Sequence, residues 1–195
     1  MSDHLFDAHE GQTPLTAEER EGLIPSHVTL RGELNELEQQ NILEANVWAL
    51  ARKRNVFTEP FGRNLHRRMF ARVWQWAGRY RESDKNIGIE WWKIPSRLPE
   101  VLDQAQFWTG HSTFPPDEIA VRFHHALVLI HPFANGNGRW SRLMADLLAV
   151  RLDRPHFTWG SADLRALRDM RQTYLDALHA ADAHDLEPLI AFARS

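Results

Sequence analysis

Leu37, Ile42, Ala45 and Trp48 keep helical spacing from Leu34 to about Lys53, and Phe61, Leu65, Met69, Val73 and Trp76 then repeat it at nearly every fourth residue. This pattern predicts two amphipathic helices, the second stopped by Gly78. The period breaks in SDKNIGIEWWKIPSR, where Asn86, Gly88 and Pro95 oppose a helix while Ile87, Ile89, Trp91 and Ile94 favour short extended pieces, so a small β-hairpin flap is expected. Helical spacing returns through Leu98, Val101, Leu102, Ala105 and Trp108. FPPDE opens a further helix, with proline in its first turn and acids near the positive end of its dipole, and this helix runs past Ile119, Phe123, Leu127 and Ile130 into His131. It should be central. Leu143, Leu147 and Val150 mark another helix; Leu164, Leu167, Met170, Tyr174 and Leu178 the next; Leu186 to Ala193 a short closing one. Before Pro25 the chain is polar and broken by glycine and proline, apart from TAEE at Thr16 to Glu19, whose spacing suits a capping box. The expectation is an all-α domain with one small β element over residues 31–195, preceded by an arm over residues 1–30.

The 195 residues are 43% hydrophobic, enough for one domain with a real core. A formal net charge of -3 gives no overall basic footprint, so direct nucleic-acid binding and attraction to an anionic membrane are not expected, and any phosphate recognition must be local. No cysteine is present, which excludes disulfides and thiolate metal sites and fits a reducing, cytoplasmic setting. The first ten residues, MSDHLFDAHE, lack a secretory pattern, and the longest apolar run, Ala126 to Ile130, is too short to span a bilayer. A soluble protein is expected.

Local chemistry concentrates in IHPFANGNGRWSR, Ile130 to Arg142. Pro132 cannot continue a hydrogen-bonded helix, so the chain must turn just after His131 and hold the imidazole at a helix end, with Phe133 anchoring the turn. Gly136 and Gly138 allow backbone angles that other residues avoid, so the amides of residues 136–139 can converge into a concave donor cluster at the start of the next helix. That geometry favours a phosphate. Arg139 and Arg142, at i and i+3, add planar forks on one face.

These residues match, in order, the pattern His-Pro-Phe-x-(Asp/Glu)-Gly-Asn-Gly-Arg-x-x-Arg, and the chain resembles the Fic family. LHRRMFARVWQWAGRYR from Leu65, NIGIEWWKIP from Asn86, RFHHALVLIHPF and YLDALHAADAHDLEPLIAF extend the likeness over roughly everything after Leu30, and the whole resembles the subgroup called mobile mystery protein B. The resemblance implies a helical bundle around a central helix-loop-helix active site. It implies transfer of AMP from ATP to a Ser, Thr or Tyr hydroxyl of a target protein, with His131 as general base, Gly136, Asn137 and Gly138 on the α- and β-phosphates, Arg139 on the β-phosphate and Arg142 on the γ-phosphate. The flap residues Ile87, Gly88, Ile89 and Trp91 would align the target as an added strand. A helix-turn-helix regulatory partner and a homo-oligomer are further expectations of the likeness.

Asn135 stands where the family has the acidic residue that binds Mg2+, and its amide brings no negative charge, so metal binding should be weaker. Three outcomes stay open: the nucleotide and water mainly hold the metal, the enzyme is slow, or another phosphate donor is used or merely bound. Many Fic proteins also carry an inhibitory helix whose glutamate pairs with the second arginine. TLRGELN, residues 29–35, offers Thr29 and Glu33 in that pattern, with Leu34 where the family has Gly or Asn. A Glu33 to Arg142 pairing is expected on that basis; Thr29 as a plain helix cap with an exposed Glu33 is the alternative. A catalytically silent nucleotide-binding module and removal of AMP assisted by Glu33 are rival functions. His124 and His125 lack a metal-binding pattern, most of the eight tryptophans are packing residues, and Arg67 and Arg68 read as a solvated helix face. Trp91 and Trp92 point to opposite faces of an extended piece, so at least one could meet a target or adenine.

Overall fold

The computed structural model describes residues 13–161 and 170–195. Its helices are α1 Ala17–Glu21, α2 Arg31–Leu50, α3 Glu59–Phe70, α4 Ile94–His111, α5 Pro116–Ile130, α6 Asn137–Arg151, α7 Met170–Asp182 and α8 Glu187–Arg194, with one 3-10 turn at Trp91–Lys93. Most starts follow from local chemistry. Thr16 and Glu19 form the expected capping box on α1, Thr58 Oγ1 accepts from Phe61 N at the head of α3, and α4, α5 and α8 each carry proline in the first turn.

α5 is buried on several faces, through Ile119, Ala120, Val121, Phe123, His124, Leu127 and Ile130. It packs chiefly against α6 and α4, and α3 reaches α6 where Trp140 Nε1 donates to Gly62 O at 2.9 Å. Phe123, Phe133, Trp140, Met144, Leu65 and Met69 are among the largest fully buried side chains of this core. Burying a side chain of that size contributes about 1.5–3 kcal/mol each, and the core closes directly beneath the turn between α5 and α6. Asp117 ties the far end together by accepting from Arg154 Nε and Arg194 Nε, both at 2.9 Å.

Two elements differ from expectation. The second amphipathic helix ends at Phe70, not near Gly78, and residues 71–78 run as turns. Val73 and Trp74 are still buried, but the backbone there pairs with the N-terminal segment: Ile24 N donates to Val73 O and Gln75 N to Gly22 O, both at 2.9 Å, with an isolated antiparallel bridge between Leu23 and Trp74. Apolar spacing continued past the helix because the turn buries the same residues. The second difference is the flap. No β-hairpin forms among the described residues; residues 86–89 are bends. Arg81 Nη2 donates to Ile89 O, taking a carbonyl that a hairpin partner would need, and Gly88 adopts φ +97°.

Candidate active site

α5 ends in an unusual residue. His131 has φ 52° and ψ 60°, a left-handed conformation at the helix cap that costs a non-glycine residue about 1–3 kcal/mol. The helical region is disfavoured before proline, so Pro132 forces the chain out of α5 at this point. Phe133, fully buried, then locks the turn: it stacks on His66 at 3.7 Å between ring centroids and meets Trp140 edge-on at 5.0 Å. Asn137 closes it, with Oδ1 accepting from Phe133 N at 2.9 Å and Nδ2 donating to Phe133 O at 2.8 Å. The Asn137 side chain therefore holds the loop.

The two glycines of the turn do different work. Gly136 has φ +79°, and a Cβ there would lie 2.5 Å from the Phe70 ring, so both backbone and space require glycine. Gly138 sits inside α6 with no positive φ, and a Cβ would meet nothing within 4 Å. Its expected special backbone angle is absent, because α6 has already begun at Asn137. What Gly138 supplies is a bare patch of helix N-terminus.

That bare patch lines a cavity of about 420 Å³ together with His131, Asn135, Arg139, Arg142 and, from the N-terminal side, Thr13. The size suits a small-molecule ligand. Arg142 enters from below, with Nε donating to Gly138 O at 3.2 Å and its guanidinium over the Tyr174 ring; burial lowers its pKa from the usual value. Arg139 lies over Phe70 and donates from Nη1 to Glu38 Oε2 at 2.6 Å. Glu38 is buried and also accepts from Trp74 Nε1 at 2.7 Å.

His131 faces this cavity with Nε2 2.8 Å from Thr13 Oγ1. Burial is the main cause that pushes its pKa from 6.5 down to about 4; the charges of Arg81 and Lys85 act the same way, against a smaller opposing effect of the Val128 carbonyl. The ring is therefore neutral near pH 7. In the tautomer with its proton on Nδ1, Nε2 is free to accept a proton from a hydroxyl.

Several residues at the site have no local signal in the sequence. Arg81 is buried and donates from Nε to His131 O at 2.7 Å and from Nη1 to Ser83 O at 2.8 Å, so one guanidinium joins the bends to the end of α5. His66 accepts from Gly78 N at 3.0 Å through Nδ1, which places its proton on Nε2, directed at Asn135 O at 3.0 Å. Burial holds His66 to a pKa of about 3, so it is a neutral strut. The bonds of Arg81 to His131 and of His66 to Gly78 and Asn135 reach backbone groups 12 to 69 residues away.

The remaining expected site residues are placed as follows. Asn135 Oδ1 accepts from Gly136 N at 2.6 Å, and Nδ2 donates to Thr13 O at 3.4 Å. Among the described residues no group of three or more His, Asp or Glu side chains could hold a metal ion. One neutral oxygen already bonded to an amide does not make a resident Mg2+ site. Glu33 turns back to its own helix start, where Oε2 accepts from Thr29 N at 3.2 Å and Leu30 N at 3.3 Å. The expected Glu33 to Arg142 pairing gives way to this capping arrangement, since two unsatisfied amides lie next to the carboxylate. Ile87 lines the cavity, Gly88 packs its backbone against the His131 Cβ, and Ile89 O is held by Arg81. Trp91 and Trp92 are exposed in the 3-10 turn beside them.

With this geometry established, residues 56–149 match the model of the Fic/DOC family. The segment over residues 56–149 belongs to the Fic/DOC family. It is 30% identical over 132 residues, 66% of its length, to the protein adenylyltransferase Fic of Aedes aegypti, and 31% identical over 119 residues, 60% of its length, to fic-1 of Caenorhabditis elegans. The matched part spans 25% and 22% of those relatives, about a quarter of each. Among solved structures, BepC of Bartonella tribocorum with bound AMPPNP superposes with a TM-score of 0.68 at 15% identity, covering 92% of this chain and 97% of that one. That likeness carries the fold.

Proposed function

We propose that this Fic domain is a protein adenylyltransferase that moves AMP from ATP to a hydroxyl side chain of a protein. The observation that carries the reading is His131: a neutral, buried imidazole with Nε2 already 2.8 Å from a hydroxyl, at the rim of the cavity that the α6 N-terminus and two arginines share. The names of the relatives, protein adenylyltransferases, support it.

In this reading the amides of residues 137–139 and the positive end of α6 receive the β-phosphate region, with Arg139 and Arg142 on the outer oxygens. The α-phosphorus then faces His131. The acceptor oxygen bonds to the α-phosphorus as its proton passes to Nε2, and the bond from that phosphorus to the α–β bridging oxygen breaks. Pyrophosphate leaves, its growing charge met by both arginines. Magnesium enters bound to the triphosphate, as part of the substrate, and Asn135 adds at most one amide oxygen. The bends around Ile87 to Ile89, braced by Arg81, guide the target chain. Restraint from the N-terminal side belongs to the same reading, through Glu38, whose carboxylate engages Arg139 where a phosphate would bind. The lack of cysteine supports a cytoplasmic setting.

A second reading, a nucleotide-binding module without transfer, is favoured by Asn135, whose side-chain oxygen is committed to Gly136 N. ATP labelled at the α- or the γ-phosphate separates the two. Label from the α-phosphate on protein supports adenylylation. Label from the γ-phosphate alone, or binding with neither label transferred nor pyrophosphate released, overturns it.

A further inference from the structure

The hydroxyl that sits on His131 belongs to this chain. Thr13 Oγ1 lies 2.8 Å from Nε2 with both residues buried, and Thr13 lines the same cavity as Gly136, Gly138, Arg139 and Arg142. Its backbone is fastened just after the side chain, at two successive carbonyls. Thr13 O accepts from Asn135 Nδ2 at 3.4 Å, and the next carbonyl, Pro14 O, accepts from Lys85 Nζ at 3.0 Å. Lys85 also pairs with Glu19 in α1, whose capping box with Thr16 fixes the chain beyond. A hydroxyl on the neutral nitrogen of a general base, held from two directions, is a nucleophile already in position.

We propose that Thr13 is an acceptor in its own chain, so that the protein adenylylates itself at this position; this rests on the adenylyltransferase reading above. In the step, Thr13 Oγ1 forms a bond to the α-phosphorus of ATP while the bond to the α–β bridging oxygen breaks. The hydroxyl proton passes to His131 Nε2, and pyrophosphate departs. Among the described residues that line the cavity, Tyr174 is the other one with a hydroxyl, and it is a poor rival: its oxygen bonds to His124 Nε2 at 3.0 Å, and burial raises its pKa to about 12. A modified Thr13 would keep its adenylyl group in the cavity, so the reaction ends after one event per chain.

The test incubates the whole chain with magnesium and α-labelled ATP, reads intact mass and pyrophosphate, and maps the label by peptide sequencing. The expected result is one AMP per chain on Thr13, at a rate per molecule independent of protein concentration. Thr13→Ser should retain the label, while Thr13→Val and His131→Ala should lose it, each variant checked for folding by its melting transition. Label on another residue, or equal labelling of Thr13→Val, overturns the assignment while leaving adenylylation intact. Pyrophosphate release with no label on the chain also overturns it, the AMP having passed to water. If the wild type gives neither label nor pyrophosphate, both the assignment and the adenylyltransferase reading fall.

Discussion

Two regions meet at the cavity, and they are built in opposite ways. The turn from His131 to Arg142 is made by near neighbours: Asn137 clamps Phe133 four residues away, Gly136 caps its own helix, and Arg142 reaches Gly138. The N-terminal segment reaches the same cavity through bonds that span the chain, Thr13 to His131 and Asn135, and Glu38 to Arg139. A site assembled locally is preorganised by its own sequence, whereas one completed from afar depends on how a distant segment docks. The difference predicts that changes in the turn abolish chemistry, while changes in the N-terminal segment tune access to it.

The largest effect should come from the turn. His131→Ala should lower the rate of AMP transfer by about 10²- to 10⁴-fold, and because alanine keeps its Cβ the left-handed backbone at this position stays as strained as it is for histidine. Gly136→Ala comes next. Its φ of +79° alone costs about 1–3 kcal/mol, and the added methyl would press on Phe70 at 2.5 Å, so ATP affinity measured by calorimetry should fall at least about tenfold along with thermal stability. A variant that binds ATP as tightly as wild type would show that the turn is not the phosphate cradle.

The N-terminal side gives a smaller and sharper contrast. Glu38→Gln should strengthen ATP binding several-fold, because Arg139 loses its competing carboxylate while the amide oxygen can still accept from Trp74. Glu33→Gln should leave ATP affinity unchanged and cost about 0.3–1.5 kcal/mol of stability, the usual worth of such a cap. Reversal of that order would return the inhibitory role to Glu33.

The smallest expected change is with pH, and its sign follows from burial. His66, His124 and His131 have folded-state pKa values lowered from 6.5 to about 3, 3 and 4, so each binds its proton more readily in the unfolded chain. Their contribution to stability is fully present above pH 6.5 and is lost as pH falls from there toward those values. For activity, kcat/KM should stay nearly level from pH 7 to about 5.5, where an ordinary histidine base would already be mostly protonated. An acid limb centred near 6.5 would mean that the ring is solvated in the free enzyme.

The same contrast explains what could be read from the sequence. Helical spacing identified α2, α4, α5, α6 and α8, and the expected helix through Leu178 is seen from Met170 onward, with Leu164 and Leu167 outside the described residues. The turn was legible because its chemistry repeats a local pattern of histidine, proline, glycine and arginine. The end of α3 was not, because Val73 and Trp74 keep the apolar period while their backbone pairs with Gly22 and Ile24. Nor was the flap, whose alternating isoleucines are explained by cavity lining and by the grip of Arg81. The bonds of Thr13 to His131, Glu38 to Arg139, His66 to Asn135 and Arg81 to Ile89 span between 8 and 118 residues, and no spacing rule marks such pairs. Glu33 shows the reverse case: a family pattern present in sequence is satisfied by ordinary helix capping.

The most direct test is a crystal structure of the chain with a non-hydrolysable ATP analogue. The account predicts outer phosphates on the amides of residues 137–139 and on Arg139 and Arg142, with the α-phosphorus facing His131 Nε2. A nucleotide bound elsewhere, or one whose α-phosphorus points away from that nitrogen, would contradict it.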